Sequence, residues 1–372
     1  MQERVERTLL RGGLPVGAVL AALIVGGALV SALGVSPWDA ATTVATAGFA
    51  CDPRYCNLGG TLALAAPIMF CALGAVVNLR SGLFSIGQEG QYALGGLAAA
   101  VVGSAVSAPT GIHPALCLLA AAAVGAAWGV VPAILKLFLG VNELIISIIL
   151  NTMADLLLNY LVNYPLRAEA STVGYTSTIA DTAKLPVFDP STKFGLAFVL
   201  AVIACIGVWF YLSRTTFGYE QRMSGEATAF ARYAGMSATS AVLRAGLIGG
   251  ALAGLGGGVQ VLGANYRVIE GFSDGTGLTG LTAAILGGTT AIGAGVVGIL
   301  YAGITVGAVN GLQIMLGVPR EIGSTVLALM IVLVAIQAPL QKRIERARER
   351  RRTNRRLDAG TRPSTEQAEV HA

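Results

Sequence analysis

The sequence predicts an all-α polytopic membrane protein of about ten transmembrane helices, one of them broken or re-entrant, with two segments that read as an inverted repeat. Three observations carry that prediction. Of 372 residues, 54% are hydrophobic and 12% charged, against roughly 25% charged in an ordinary soluble domain. The apolar runs are continuous instead of alternating with period two, and several reach the roughly 20 residues that a helix needs to cross a hydrocarbon core about 30 Å thick. Glycine contributes 49 residues, which suits helices that approach closely in lipid, where small-residue faces draw them together. Lipid offers the backbone no hydrogen bonds, so a spanning chain is either helical or a closed barrel, and continuous runs select helices.

Taken in order, the first run covers 14–34. It has the basic start of a signal peptide, yet it is longer than a signal core and lacks a small-residue cleavage site, so it reads as a retained span. Further spans are predicted at 60–78, 89–107, 114–135, 142–164, 194–213, 240–262, 292–313 and 321–339. The run 276–290, in "GTGLTGLTAAILGG", is short and bounded by glycine, hence the broken or re-entrant assignment. "GLFSIGQEGQYALGG" at 82–96 resembles "GFSDGTGLTGLTAAILGG" at 271–288, with opposite directions across the membrane, as in transporters built from inverted repeats.

Polar segments complete the outline. The chain divides into an N-terminal segment 1–13, a membrane domain 14–340 with a charged loop at 214–239, and a basic tail 341–372, partly disordered. The interval 165–193 is too short to bury its own core and is expected to cap one mouth of the bundle. "CDPRYC" places Cys51 and Cys56 in a loop where either a local disulfide or two thiols fit, while Cys71, Cys117 and Cys205 sit in apolar runs as small hydrophobes.

Orientation follows from Lys and Arg placement. With both termini cytoplasmic, most of the 25 basic residues fall inside, and the outside receives Arg54, Arg167, Lys184, Lys193, Arg267 and Arg320. The tail "QKRIERARERRRTNRR" reads as a juxtamembrane segment drawn to anionic lipid. It has no interleaved aromatic residues for stacking on bases, so nucleic acid is not an expected partner.

Enzyme chemistry finds no support. His113 and His371 are the only histidines, one in a predicted loop and one at the end of the chain, and neither belongs to a catalytic or metal-binding constellation. No G-x-x-x-x-G-K-[ST] occurs and no lysine follows a glycine, so the chain lacks a nucleotide-binding P-loop. Transport remains. A secondary transporter needs an ionisable group at membrane depth, for which the candidates are Asp155, flanked on one helix face by Asn151 and Asn159, and Glu89, which also suits a helix start. Asn310 and Gln313, with the α-helical polar ladder Asn151, Asp155 and Asn159, are candidates for a pathway that accepts neutral, hydroxylated solutes. Helix packing explains these polar residues equally well.

The stretch "SRTTFGYEQRMSGEATAFARYAGM" at 213–236 interrupts the apolar runs with Arg214, Glu220, Arg222, Glu226 and Arg232. Ser224 as cap, Glu226 in the first turn and Gly235 as stop predict a short helix with Ala227, Phe230, Ala231 and Ala234 on one stripe. Two or three turns do not hold together alone in water, so this helix must dock on the chain's own face or on a partner.

This stretch resembles the cytoplasmic coupling loop of bacterial ABC importer permeases, in the branch serving ribose, other simple sugars, nucleosides and branched-chain amino acids. "NLRSGLFSIGQEGQ" at 78–91, "GVNELIISIILN" at 140–151 and "EGFSDGTGLTGLTAAILGG" at 270–288 extend the likeness, in order, over about 60–340. The glycine-glutamate before the coupling helix and "FSIGQEGQ" are most similar to the nucleoside and simple-sugar permeases. The chain departs from the pattern at Ala227, Thr228 and Ala229, where members often carry Asn, Pro and Glu. The resemblance implies a permease subunit of an ATP-driven importer in the bacterial plasma (inner) membrane, translocating nucleosides or, alternatively, simple sugars. It implies no cofactor in this chain, with ATP and Mg held by a separate ABC ATPase subunit. A second permease, related but different so that the pair is a heterodimer, and an extracytoplasmic solute-binding protein complete the implied assembly. Gly225, Glu226, Phe230, Arg232, Tyr233 and Gly235 are then the expected ATPase-coupling residues.

Overall fold

The computed structural model describes residues 31, 36–52, 55–168 and 173–315. The predicted span at 321–339, the segment 1–13, the tail 341–372 and all but residue 31 of the predicted span 14–34 lie outside the described residues. Described in chain order, the elements are α1 (Pro37–Phe49), a hairpin of β1 (Cys51–Asp52) and β2 (Tyr55–Cys56), α2 (Asn57–Arg80), α3 (Gln88–Ala105), α4 (Ile112–Leu139) and α5 (Glu143–Asn163). A second hairpin, β3 (Val187–Asp189) with β4 (Phe194–Gly195), leads into α6 (Leu196–Arg214), α7 (Thr216–Glu226) and α8 (Thr228–Tyr233). The series ends with α9 (Ala238–Gln260, continued by a π turn to Asn265), α10 (Thr276–Leu286) and α11 (Ala291–Gly307, continued by a π segment to Met315).

Local chemistry sets many of these limits. Thr215, Ser237 and Thr290 accept from the amides of Gly218, Ser240 and Gly293, capping α7, α9 and α11 at 3.1, 3.2 and 3.2 Å. Asn142 caps α5 through the Leu144 amide at 2.9 Å. Gly140 closes α4 at φ 64°, a left-handed conformation that costs glycine nothing.

Among the described residues, six helices are long and apolar enough to cross a membrane: α2, α4, α5, α6, α9 and α11 with their π extensions. The predicted spans match them to within a few residues. α3 has the predicted position but is polar in its first turn, where Gln88, Glu89 and Gln91 are all buried. α10 is shorter than the predicted 276–290 and stops at Leu286. Its eleven residues measure about 16 Å, half a crossing. α1 was not foreseen, because its threonine-rich thirteen residues fall below spanning length. It packs on α11, with Gly48 against the Gly303 backbone, and the Thr61 hydroxyl donates to Gly48 O at 2.6 Å.

α9 is the centre of the unit Trp38–Gly323 and packs on α2, α3 and α4. Its glycines recur every fourth residue. Gly250 and Gly254 lie against the backbone of Gly125 and Ala121 on α4, so closely that a β-carbon at either would overlap a carbonyl oxygen. This is the small-residue packing expected where lipid removes the hydrophobic drive between helices.

An internal symmetry is visible in the packing. α9 lies on α3 and α4, and α2 lies on α10 and α11, while α2 and α9 pack on each other. α3 and α10 each follow a non-helical segment, 81–87 and 266–275, and their N-termini meet where Gly277 backs onto the Glu89 main chain. From that point they diverge. α10 runs to the end of the bundle where Arg80 Nε donates to Thr289 O at 2.8 Å, and α3 runs to the opposite end, where Ala180 N donates to Gly103 O at 2.8 Å. The likeness between 82–96 and 271–288 therefore corresponds to two helices that start together and run in opposite directions.

The described part of the 165–193 interval covers that second end. Ile179 and Leu185 donate through their amides to Tyr266 O and Leu262 O, and both side chains are buried. In the first hairpin, Cys51 and Cys56 are register partners. Cys71, Cys117 and Cys205 are free and buried.

Replacing Gly250 with leucine should force α4 and α9 apart at a cost of at least about 1–3 kcal/mol. The expected outcome is a lower melting temperature of the solubilised protein, read by size-exclusion fluorescence.

Candidate functional site

Two features concentrate polar groups: the charged segment 214–239 and the point where α3 and α10 meet. The first differs from the predicted short helix. Helical structure begins at Thr216, capped by Thr215, so Ser224 is not a cap; it is buried near the end of α7, which finishes with the exposed Gly225 and Glu226. The helix breaks at Ala227, where φ −148° and ψ 74° leave the helical region. α8 then occupies 228–233, and Gly235, at φ 76°, turns the chain toward α9. The competing force is packing: Gly218 sits on the Tyr211 carbonyl and Gly225 on Arg80 O and Gly82 N, contacts that hold α7 along the bundle.

The two short helices have different partners. α7 docks on its own chain. Gln221 is 1% exposed, with Oε1 accepting from the Tyr211 hydroxyl at 2.8 Å and Nε2 donating to Val77 O at 3.2 Å. Glu220 accepts from Arg244 Nη2 at 2.6 Å, the Arg244 guanidinium lies 4.7 Å from the Phe217 ring, and Glu226 stands 3.6 Å from Arg80. α8 instead presents its residues outward. Of the apolar stripe only Ala231 is buried; Phe230 is 57% exposed and Tyr233 94%, and Ala227, Arg232 and Ala234 are also exposed. Two of the charges that interrupt the apolar sequence, Glu226 and Glu220, thus fasten α7 to α2 and α9, while an aromatic pair on α8 stays uncovered.

At the second feature, Gly275 at the start of α10 offers no side-chain cap. The cap comes from α3. Glu89 Oε1 accepts from Gly275 N at 2.8 Å and from the Ser273 hydroxyl, and Oε2 accepts from Leu278 N at 3.0 Å. A carboxylate placed at two helix N-termini is favoured by both dipoles and meets amides that otherwise lack partners. Phe272 stacks on Tyr92 with centroids 5.1 Å apart, adding a second tie between the segment before α10 and α3.

The α5 candidates divide. Asn151 Nδ2 donates to Ile86 O at 2.9 Å and its Oδ1 accepts from Gly90 N at 3.0 Å, fixing the approach to α3. Asn159 Oδ1 accepts from Gly271 N at 3.2 Å and its Nδ2 donates to Asp155 at 3.3 Å. Asp155 is half-buried. Asn310 is half-buried in the π segment after α11, and the Gln313 side chain lies outside the described residues. Sequence reading missed Arg80, Gln221, Arg244 and Asp274. Asp274 is exposed, accepts from the Thr276 hydroxyl at 2.6 Å, and lies beside the donors to Glu89. Its signal was a carboxylate within an otherwise apolar, glycine-rich run.

Comparisons now place the chain. Residues 57–335 match the family described as branched-chain amino acid transport system / permease component, and the chain belongs to it. The guanosine ABC transporter permease protein NupP of Bacillus subtilis is 36% identical over 284 residues, which are 75% of this chain and 80% of that protein. The glucose ABC transporter permease protein TsgB13 of Haloferax volcanii is 33% identical over 333 residues, 86% of each chain. The nucleoside ABC transporter permease protein NupB of Lactococcus lactis is 27% identical over 76% of this chain and 79% of its own. No solved structure matches.

Glu89→Ala should leave buried amides at the start of α10 unmet, at about 1–3 kcal/mol for each lost partner. Thermal unfolding should show a large loss of stability for Glu89→Ala and a smaller one for Glu89→Gln, which keeps an acceptor.

Proposed function

We propose that the chain is the permease subunit of an ATP-driven importer that passes nucleosides across the bacterial plasma membrane by alternating access. The observation that carries this reading is α8, a six-residue helix with Phe230 and Tyr233 exposed, attached through α7 to the ends of α2 and α9. A separate ATPase subunit, holding ATP and Mg, grips that face. Phe230 and Tyr233 anchor the contact, and Arg232 sets its register at the rim. Glu226 instead serves inside the chain, against Arg80. Gly225 and Gly235 shape the segment through a close backbone approach and a left-handed turn.

The end of the bundle with α7 and α8 faces the cytoplasm, in line with the basic residues gathered there, and both termini are cytoplasmic. A second permease, a paralogue of this chain, completes the pathway, and a solute-binding protein delivers substrate at the opposite end. ATP drives the change of orientation only as far as it binds the two states of the assembly with different affinity. Asp274 and Asp155 belong to the pathway, since a carboxylate at membrane depth turns toward water or protein and not toward lipid. Asn159, Asn310 and Gln313 supply hydrogen bonds there, whereas both ends of the Asn151 amide hold the approach to α3.

The nucleoside assignment draws on the likeness to the guanosine and nucleoside permeases. A simple sugar is the second reading, favoured by the glucose permease that matches along 86% of the chain. The proton- or ion-coupled alternative is weakened at Glu89, whose carboxylate already receives three donors.

Uptake of labelled guanosine by the reconstituted complex should require the ATPase and compete with unlabelled adenosine more strongly than with ribose or glucose; the reverse order supports the sugar reading. Replacing Phe230 and Arg232 together with alanine should weaken ATPase docking by about 2 kcal/mol, roughly thirtyfold in affinity, and abolish solute-stimulated ATP hydrolysis.

A further inference from the structure

We propose that Arg80 is the positioning residue that passes movement of the α7–α8 segment to α10, making this half-helix the rod between the ATPase-facing end and the bilayer centre. The inference rests on the ATP-driven reading above and adds to it a route through the chain. Arg80 is the last residue of α2, and its guanidinium touches two otherwise separate elements. Nη1 lies 3.6 Å from Glu226 Oε1 at the end of α7, and Nε donates to Thr289 O at 2.8 Å, just beyond α10. The backbone around it is equally close to the coupling segment, because Gly225 rests on Arg80 O, Ser81 and Gly82.

Three properties suit this position to transmission. The carbonyl that Arg80 holds, Thr289 O, lies in the short link between the end of α10 at Leu286 and the cap of α11 at Thr290, so the guanidinium grips the connection between the two helices. Gly288 and Thr289, at φ 66° and 53°, form a tight left-handed turn into α11, and a threonine in that conformation stays there only while its surroundings hold it. At its other end, α10 is gripped by Glu89 through Gly275 and Leu278. Glu89 therefore holds the start of α10 and Arg80 the link that follows its end, and Arg80 is ion-paired to the segment that carries α8. The Arg80–Glu226 pair is partly solvated, with side chains 27% and 60% exposed. Such a pair adds little stability, so its effect is expected in coupling and not in folding.

A route of this kind is established by coupling measurements. In the complete reconstituted complex, Arg80→Gln should leave assembly and basal ATP hydrolysis in place while lowering solute moved per ATP by about tenfold. Glu226→Gln should lower the same ratio, and the double variant should be no worse than Arg80→Gln alone. Arg80→Lys, which keeps the charge without the forked donor, should recover part of the ratio. The exchanged pair Arg80→Glu with Glu226→Arg restores an ion pair but not the bond to Thr289, and should remain uncoupled. An unchanged ratio in Arg80→Gln, full recovery in the exchanged pair, or loss of uptake in step with loss of assembled complex would each overturn the proposal. Failure of the ATP-driven reading would show separately, as wild-type uptake indifferent to the ATPase.

Discussion

A carboxylate within a bilayer must be satisfied by the protein that carries it, and the arrangement of this chain depends on how Glu89 meets that requirement. Its depth follows from its neighbours: Gly90 donates to Asn151, which lies about 12 Å along the 21-residue span α5 from its start. Water cannot be counted on there, and an unpaired charge would cost several kcal/mol. The start of α10 supplies what is needed, since a helix N-terminus presents amides without partners of their own. Each element answers a deficit in the other, which explains why a helix of only eleven residues can begin inside the membrane.

The rest of the packing serves that meeting point. α10 and α3 approach closely enough for Gly277 to touch the Glu89 main chain because residue 277 has no side chain in the way, and Gly90 in turn leaves room for Asn151 and Ala154 of α5. α9 packs on α3 and α2 on α10, with the glycines of α9 admitting α4 to backbone contact. At the end of the bundle that carries α7 and α8, polar groups tie α7 to its neighbours: Gln221 on Val77 and Tyr211, Glu220 on Arg244, and Glu226 on Arg80, which also holds Thr289. A displacement of α8 therefore meets a bundle already tied to α7, and not a free loop.

Much of this was legible in the sequence because hydropathy and glycine content report directly on the bilayer. The spans now seen as α2, α4, α5, α6, α9 and α11 were placed within a few residues, and the truncated run at 276 was recognised from its length and glycine borders. The likeness of 82–96 to 271–288 was also visible, but not its meaning, since nothing local shows that Glu89 caps a helix nearly 190 residues away. The segment 214–239 was misread for a related reason. Ser224 followed by Glu226 has the pattern of a helix start, yet the tertiary contacts of Gly218, Gln221 and Gly225 extend the helix backward to Thr216 and end it at Ala227. Arg80 and Arg244 looked like ordinary inner-face charges because their partners become neighbours only in the folded chain. α1 escaped notice because hydropathy over a spanning window averages out thirteen residues rich in threonine.

The central claim is that the Glu89 carboxylate permanently occupies the start of α10, whatever the nucleotide state. Amide hydrogen exchange at Gly275 and Leu278, followed in the reconstituted complex with and without ATP, tests it most directly. The account predicts strong protection of both amides in both states and its loss in Glu89→Ala alone. Rapid exchange of these amides in the wild-type complex, in either state, would contradict it.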